Sequence, residues 1–428
     1  MSVWTSLYTG ASGLTAHSQA INVVGDNIAN VSTVGYKSGN ANFNDVLGQR
    51  NLRGQAMGAG VEMGGVNQSF GQGSFMSTGG SLDYSIQGDG FFMLSGALDG
   101  VQGDYYTRDG RFSLDNEGFV VNQHGLRVQG YDLDANGAVQ GAPADIALGQ
   151  TIPPVPTSSL GLELNLESND ETPGVAFNPA DPEGTADWST SVDVYDSLGN
   201  AHAVQLFFTN NGGGAWEWHA MVDGGELTGG TAGTLTEIAD GNLGFTSDGY
   251  LDTETINTNT ASFLGASGPQ TLDFDFGDAI TTDGGTGMEG TTQYGSPTTI
   301  NQITQDGSAP GELLDVITAE DGTISGVYSN GQTEPLAKVA TAMFQAPDGL
   351  FRANDQLWTA TQDSGQALVG EPGTGGRGAI AQGALEGSNV DLGKELVTLI
   401  AYQRAFQANS RTITTADEML TEINNLKR

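Results

Sequence analysis

Both ends of this chain carry an apolar residue at every seventh position, and the long middle carries no such repeat. The positions are Leu7, Leu14, Ile21 and Ile28 at one end, and Leu392, Leu399, Phe406, Ile413 and Leu420 at the other. A period of about 3.5 residues per turn is the seam that one helix offers another along its length. The spacing predicts a helix over residues 1–31 and a second over 388–428. Termini are normally the least anchored parts of a chain, so two long terminal stripes imply a partner, either each other or neighbouring copies. That is the layout of an assembly protein.

Charge is divided along the same lines. Residues 1–60 hold two acids, Asp26 and Asp45, against Lys37, Arg50 and Arg53, and residues 385–428 hold six acids against five bases. The net charge of −37 therefore sits in the middle, where no Lys or Arg occurs between Arg127 and Lys338. Acidic bodies repel one another and neutral apolar helices do not, which suits a polymer with helices inside and acidic domains in solvent. Nucleic acid is disfavoured as a partner, because phosphate binding needs clustered cations.

A length of 428 residues suggests about three domains, and 37% hydrophobic residues is enough for folded cores. Many of the 65 glycines follow Asp or Asn, as in Asp109-Gly110, Asn136-Gly137, Asp248-Gly249, Asp321-Gly322 and Asn330-Gly331. Such pairs favour tight hairpin turns. Alternation at Val192-Asp193-Val194-Tyr195 and at Leu272-Asp273-Phe274-Asp275-Phe276 agrees, so the middle is expected to be mainly antiparallel β. With no cysteine, disulfides, thiolate chemistry and Cys-based zinc sites are excluded. No cleavable signal peptide and no membrane span are read in the sequence, so any passage out of the cell would use another route.

The order of segments suggests nesting. Glycine-rich connectors are expected over 32–80 and 370–387, an inner β domain over 81–150 and 291–369, and an outer β domain over 151–290. Ile152-Pro153-Pro154-Val155-Pro156 marks the boundary between the two β domains. Ser388 and Asp391 have capping-box spacing ahead of the last helix.

The run Asn27-Ile28-Ala29-Asn30-Val31-Ser32-Thr33-Val34-Gly35-Tyr36-Lys37 resembles the signature of the axial proteins of the bacterial flagellum, the rod and hook subunits. Val34 stands where that signature often has proline. Ser388-Asn389-Val390-Asp391-Leu392 and Tyr402-Gln403-Arg404-Ala405-Phe406-Gln407-Ala408-Asn409 are similar to the closing helix of the same family. Gly88-Asp89-Gly90-Phe91-Phe92 and Tyr106-Thr107-Arg108-Asp109-Gly110-Arg111-Phe112 resemble its β domain, and Val194-Tyr195-Asp196-Ser197-Leu198-Gly199-Asn200 resembles an outer domain that rod subunits lack. The resemblance implies a hook subunit whose terminal helices pair as a coiled coil lining a curved, flexible tube that passes motor torque to the filament. It further implies self-association into a helical homopolymer, contact with a distal rod protein, a hook cap and a hook–filament junction protein, passage through the flagellar export apparatus, and an extracellular place in the flagellum. A distal rod protein is the alternative within the family, and a secreted acidic adhesin the alternative outside it.

In this reading Leu7, Leu14, Ile21, Ile28, Leu392, Leu399, Phe406, Ile413 and Leu420 are assembly contacts. So are Asn27, Asn30, Thr33, Gly35, Tyr36, Lys37 and Asn389, with Tyr36 as a flat surface and Lys37 as a lone charge offered to neighbouring subunits. Asn27 and Asn30 lie on one side of the first helix, placed to satisfy its free carbonyls. No enzyme, cofactor or metal is expected. His17, His124, His202 and His219 lack ligand spacing, and Gly373-Thr374-Gly375-Gly376-Arg377-Gly378 fits a dinucleotide fingerprint but follows Pro372 rather than a strand. Asp132-Leu133-Asp134-Ala135-Asn136-Gly137 opens like a calcium loop, yet its twelfth position is Pro143, so a hairpin turn is expected. Asp273, Asp275 and Asp278 read as a solvated strand face.

Overall fold

The computed structural model describes residues 3–50, 56–134, 137–169 and 176–426. The chain is mainly β, with helices at Val3–Ala29 and Leu392–Leu426 that pack on each other. Two compact units divide it, the first comprising 1–149, 315–327 and 333–428, the second 150–314 and 328–332.

In the first unit the N-terminal helix packs on two partners. One is the C-terminal helix; the other is an antiparallel hairpin of Gly39–Arg50 with Ala56–Gln68. Much of the glycine-rich connector expected over 32–80 is thus a hairpin; its residues 51–55 lie outside the described ones. The second glycine-rich stretch is also built into strands: Ala379–Gln382 pairs with Tyr84–Gln87, and Ala384–Glu386 pairs with Phe75–Ser77. Strand Arg127–Leu133 is the hub of the unit's β sheet and pairs with Phe91–Leu98, Val120–Val121, Val139–Asp145 and Thr333–Val339. Aromatic rings fill one core of the sheet, where Phe91, Tyr106, Phe344 and Trp358 are buried together.

The second unit is built on a six-stranded antiparallel meander, Trp188–Tyr195, Ala201–Gly212, Ala215–Asp223, Leu235–Phe245, Leu251–Ala261 and Gln270–Thr271. A second sheet centres on Ser159–Glu167, which pairs in parallel with Asp273–Asp275 and Thr292–Tyr294 and antiparallel with Thr299–Gln305. Its Leu160, Leu162, Leu164 and Leu166 alternate inward and share one core with Trp216, Trp218, Phe274 and Phe276. Strand Thr299–Gln305 explains why the unit runs past the expected limit of 290: it is hydrogen-bonded to Ser159–Glu167, near the start of the unit.

Turn chemistry accounts for the hairpins. Gly249, Gly322 and Gly331 all take positive φ after Asp or Asn. Gly110 is different. It lacks positive φ, but a Cβ there would overlap the carbonyl oxygen of Tyr84, so close backbone approach is what requires glycine.

Candidate assembly surface

The signature residues after the first helix converge on a buried junction. Asn27 is fully buried, and its amide pairs both ways with Gly39, donating to the carbonyl oxygen at 2.8 Å and accepting from the backbone N–H at 2.9 Å. Tyr36 donates its hydroxyl to Asp26 Oδ2 at 3.0 Å, and the Arg352 guanidinium lies 5.1 Å from the Tyr36 ring centroid. Burial, with the hydrogen bond and charge of Asp26, pushes the Tyr36 phenol up to about 12. Asn30 donates to the Asp26 carbonyl oxygen at 2.9 Å and accepts from Thr33 Oγ1 at 3.0 Å. Of the two asparagines, only Asn30 satisfies a helix carbonyl. Gly35 has φ +68°, and a Cβ there would lie 2.7 Å from the backbone nitrogen of Asp109.

Lys37 is buried against Glu386, Nζ to Oε1 at 2.7 Å. The other carboxylate oxygen takes Arg108 at 3.1 Å, and Oε1 also accepts the Gly73 N–H at 2.8 Å. Burial lowers the Lys37 and Arg108 pKa values, while the Glu386 charge acts to raise them. The Glu386 backbone oxygen meanwhile accepts from Gly35 N–H at 2.7 Å. Asn389 completes the junction, accepting from Ser38 N–H at 2.8 Å and donating to the Ser69 carbonyl oxygen at 2.7 Å. These contacts correct the expectation that Tyr36 and Lys37 face neighbouring subunits. Both are spent inside their own subunit, Tyr36 on Asp26 of the first helix and Lys37 on Glu386 from the far end of the chain.

The helix pair corrects the seam as well. The buried stripe of the first helix is Gly10, Gly13, Ala16, Ala20, Val24 and Asn27, while Leu7, Leu14, Ile21 and Ile28 are only half-buried. Small residues are needed there because a Cβ on Gly10 would lie 2.8 Å from Ile413 Cγ1, and one on Gly13 would lie 2.8 Å from Asn409. His17 sits where three elements meet, its ring 5.2 Å from Phe43 of the hairpin and 5.9 Å from Tyr402 of the last helix, and burial lowers its pKa. On the C-terminal helix, Leu399, Ile413 and Leu420 are half-buried, but Leu392 and Phe406 are exposed. Asp391 caps this helix by itself, accepting from Gly393 and Lys394 N–H groups at 2.9 and 3.1 Å, so the expected box with Ser388 does not form.

Large apolar side chains thus stay open on both terminal helices in the single subunit. Val397 is 69% exposed, Leu396 45%, Ile400 49% and Phe406 38%, joined by Met419 and Ile423 on the same helix and by Trp4 and Tyr8 on the first. Only Phe406 of these was singled out in the sequence. The i, i+4, i+8 spacing of Leu392, Leu396 and Ile400 was the available signal.

The sequences that looked catalytic are occupied structurally. Gly373–Gly378 is a turn in which Arg377 donates Nε to the Glu371 carbonyl oxygen at 3.0 Å and a terminal nitrogen to Thr374 Oγ1 at 2.9 Å. Asp134 closes a hairpin turn by accepting the Ala138 N–H at 2.8 Å; Ala135 and Asn136 lie outside the described residues. His202 stacks on Phe263 at 4.0 Å and His219 on Phe177 at 3.8 Å, each ring flanked by carboxylates. Among the described residues no helix is long and apolar enough to cross a membrane.

Four family models match this chain in order: "Flagella basal body rod protein" over residues 7–37, "Flagellar hook protein FlgE/F/G D1 domain" over 85–162, "Flagellar basal body protein FlaE D2 domain" over 165–308, and "Flagellar basal body rod FlgEFG protein C-terminal" over 381–426. The flagellar hook protein FlgE of Escherichia coli is 35% identical over 97% of this chain and 98% of its own length. The chain belongs to the flagellar hook protein family. FlgE of Salmonella typhimurium is likewise 35% identical, over 99% of this chain and all of its own, and FlgE of Borreliella burgdorferi is 32% identical over 99% of each. The hook subunit is thus a structural protein that self-assembles within the extracellular flagellum, and it is not an enzyme.

Proposed function

We propose that this hook subunit polymerises by laying the open face of its terminal helix pair against the helices of neighbouring copies, so that 1–31 and 388–428 line a curved tube. The second unit makes weak contacts with its counterparts in neighbouring copies and slides against them as the tube bends. In this way the polymer carries torque while flexing. The exposed apolar side chains of the C-terminal helix carry the reading, since so much open apolar surface on one element marks an interaction surface. The distal rod protein at the base, the hook cap during growth and the hook–filament junction protein at the tip are its proposed neighbours. Passage out of the cell is assigned in this proposal to the flagellar export apparatus.

Electron microscopy of the purified full-length chain and of a chain ending at residue 391 tests this. The full chain should give curved tubes, and the shortened one monomers whose second unit still unfolds cooperatively. Tubes formed by the shortened chain would overturn the role of the last helix.

A further inference from the structure

A short segment near the C-terminal end of the chain closes the N-terminal part of the first unit. Ala384–Glu386 pairs with Phe75–Ser77, and the Gly387 N–H donates to the Ser74 carbonyl oxygen at 2.7 Å. A Cβ on Gly73 would overlap the Gly387 carbonyl oxygen, so the two backbones touch there. Glu386 takes Lys37, Arg108 and the N–H groups of Gly35 and Gly73, while Asn389 holds Ser38, Ser69 and, at 3.0 Å, the Gly71 carbonyl oxygen. Without this segment, Lys37 and Arg108 would be two buried cations with no buried anion between them. Lys37 would keep its bond to the neutral Gly71 carbonyl oxygen at 2.9 Å, and Asp89, the other acid acting on both cations, is exposed. Buried charges are stable only when paired, so the N-terminal residues cannot close this junction by themselves.

We propose that residues 384–389 are a closing strap: stretches 34–38 and 69–77 stay unfolded until it docks, so the subunit is completed only when the C-terminal end of its chain is in place. Chains are made N-terminus first, and domains ordinarily fold in that order. Here the order is reversed. The second unit draws its buried core from within 160–279 and needs nothing from the strap, whereas the first unit, begun earlier, must wait for residue 386. An unfinished chain therefore offers no finished helix pair for assembly. That consequence rests on the assembly reading above; the order of closing does not.

Pulsed hydrogen exchange during refolding of the full chain tests the order. Amides of 35–38 and 70–77 should gain protection at the same rate as those of 384–389, and later than those of 201–223 in the second unit. In the folded protein, monomer or tube, Glu386→Gln should lower protection in all three stretches of the first unit together, at least tenfold, and leave 201–223 unchanged. Asn389→Ala cuts fewer contacts and should give smaller losses shared in the same way, which keeps the test open if Glu386→Gln does not fold. Protection of 35–38 or 70–77 ahead of 384–389 overturns the proposal, as does protection of 201–223 only after the strap. Losses confined to 384–389 in either variant also overturn it. Coupled protection in a chain that never forms tubes would remove the polymer reading and leave the strap standing.

Discussion

Glu386 neutralises two cations that lie far from it in sequence, and its loss should have consequences out of proportion to one hydrogen bond. With the carboxylate gone, Lys37 and Arg108 would share a buried site without an anion, and breaking such a cluster by removing one partner costs about 3–5 kcal/mol. Lys37→Met should cost less, because Arg108 still balances Glu386. Denaturant unfolding of the full chain checks the order: equal losses for Glu386→Gln and Lys37→Met would remove the carboxylate's central role. In the second unit Glu254 gives a pH effect of definite sign. Burial raises its carboxyl to about 7, with smaller contributions from Asp275, Asp283 and Asp273. The folded unit holds that proton where the unfolded chain has released it, so the associated stability is present below about pH 4.5 and lost as pH rises through 7. Glu254→Gln can still accept the Phe276 N–H and has no charge to bury. It should stabilise the unit at pH 8 by on the order of 1 kcal/mol, after discounting for partial exposure, and leave pH 4 nearly unchanged. Thermal melts at the two pH values decide it; a gain at pH 4 but none at pH 8 would contradict the assigned cause.

At the level of helices and strands, two faces of the terminal helix pair do different jobs and should fail differently. Phe406 is only partly covered in the single subunit, so Phe406→Asp should leave the monomer's helix content intact. It should weaken assembly by about 3 kcal/mol or more, roughly a hundredfold, when neighbours bury the unpaired carboxylate. Gly13→Leu acts on the inner face, where even a Cβ meets Asn409, and should separate the two helices within a monomer. Circular dichroism of monomers and sedimentation of polymers separate the outcomes, and wild-type polymerisation by Phe406→Asp would exclude that face from assembly. This division was half legible in the sequence. The seven-residue repeat revealed both helices because large apolar side chains mark a period. It missed the true packing stripe, because Gly10, Gly13, Ala16 and Ala20 carry little hydrophobic signal and matter through what they leave out. Likewise, Gly58, Gly60, Gly64 and Gly65 suggested a loose connector, yet Val61 N–H bonds to Ser12 Oγ at 3.2 Å and the segment is a hairpin laid on the first helix. The motif from Asn27 to Lys37 was recognisable, but its inward role was not. A lysine is rarely buried unless paired, and its partner stands 349 residues away.

Across the whole molecule, charge is segregated rather than merely negative. Nearly all of the net −37 resides in the β regions, while the helices at Val3–Ala29 and Leu392–Leu426 together carry only five acids and three bases and leave large apolar side chains exposed. Acidic bodies crowded on a polymer repel through solvent over a screening length of about 10 Å at roughly 0.1 M salt, and this repulsion opposes whatever apolar burial gains. Raising salt should therefore lower the protein concentration needed for assembly. Lowering it should first loosen contacts made by the second unit, because residues 150–314 contain no Lys or Arg to offset their carboxylates. The helix seams, nearly neutral, should hold. Hydrogen exchange on assembled tubes across a salt series measures both at once: amides of 150–314 should lose protection at low salt while those of 392–426 keep it. The reverse order would mean that charge on the β regions does not govern assembly and that the helix interface is the electrostatically weak one.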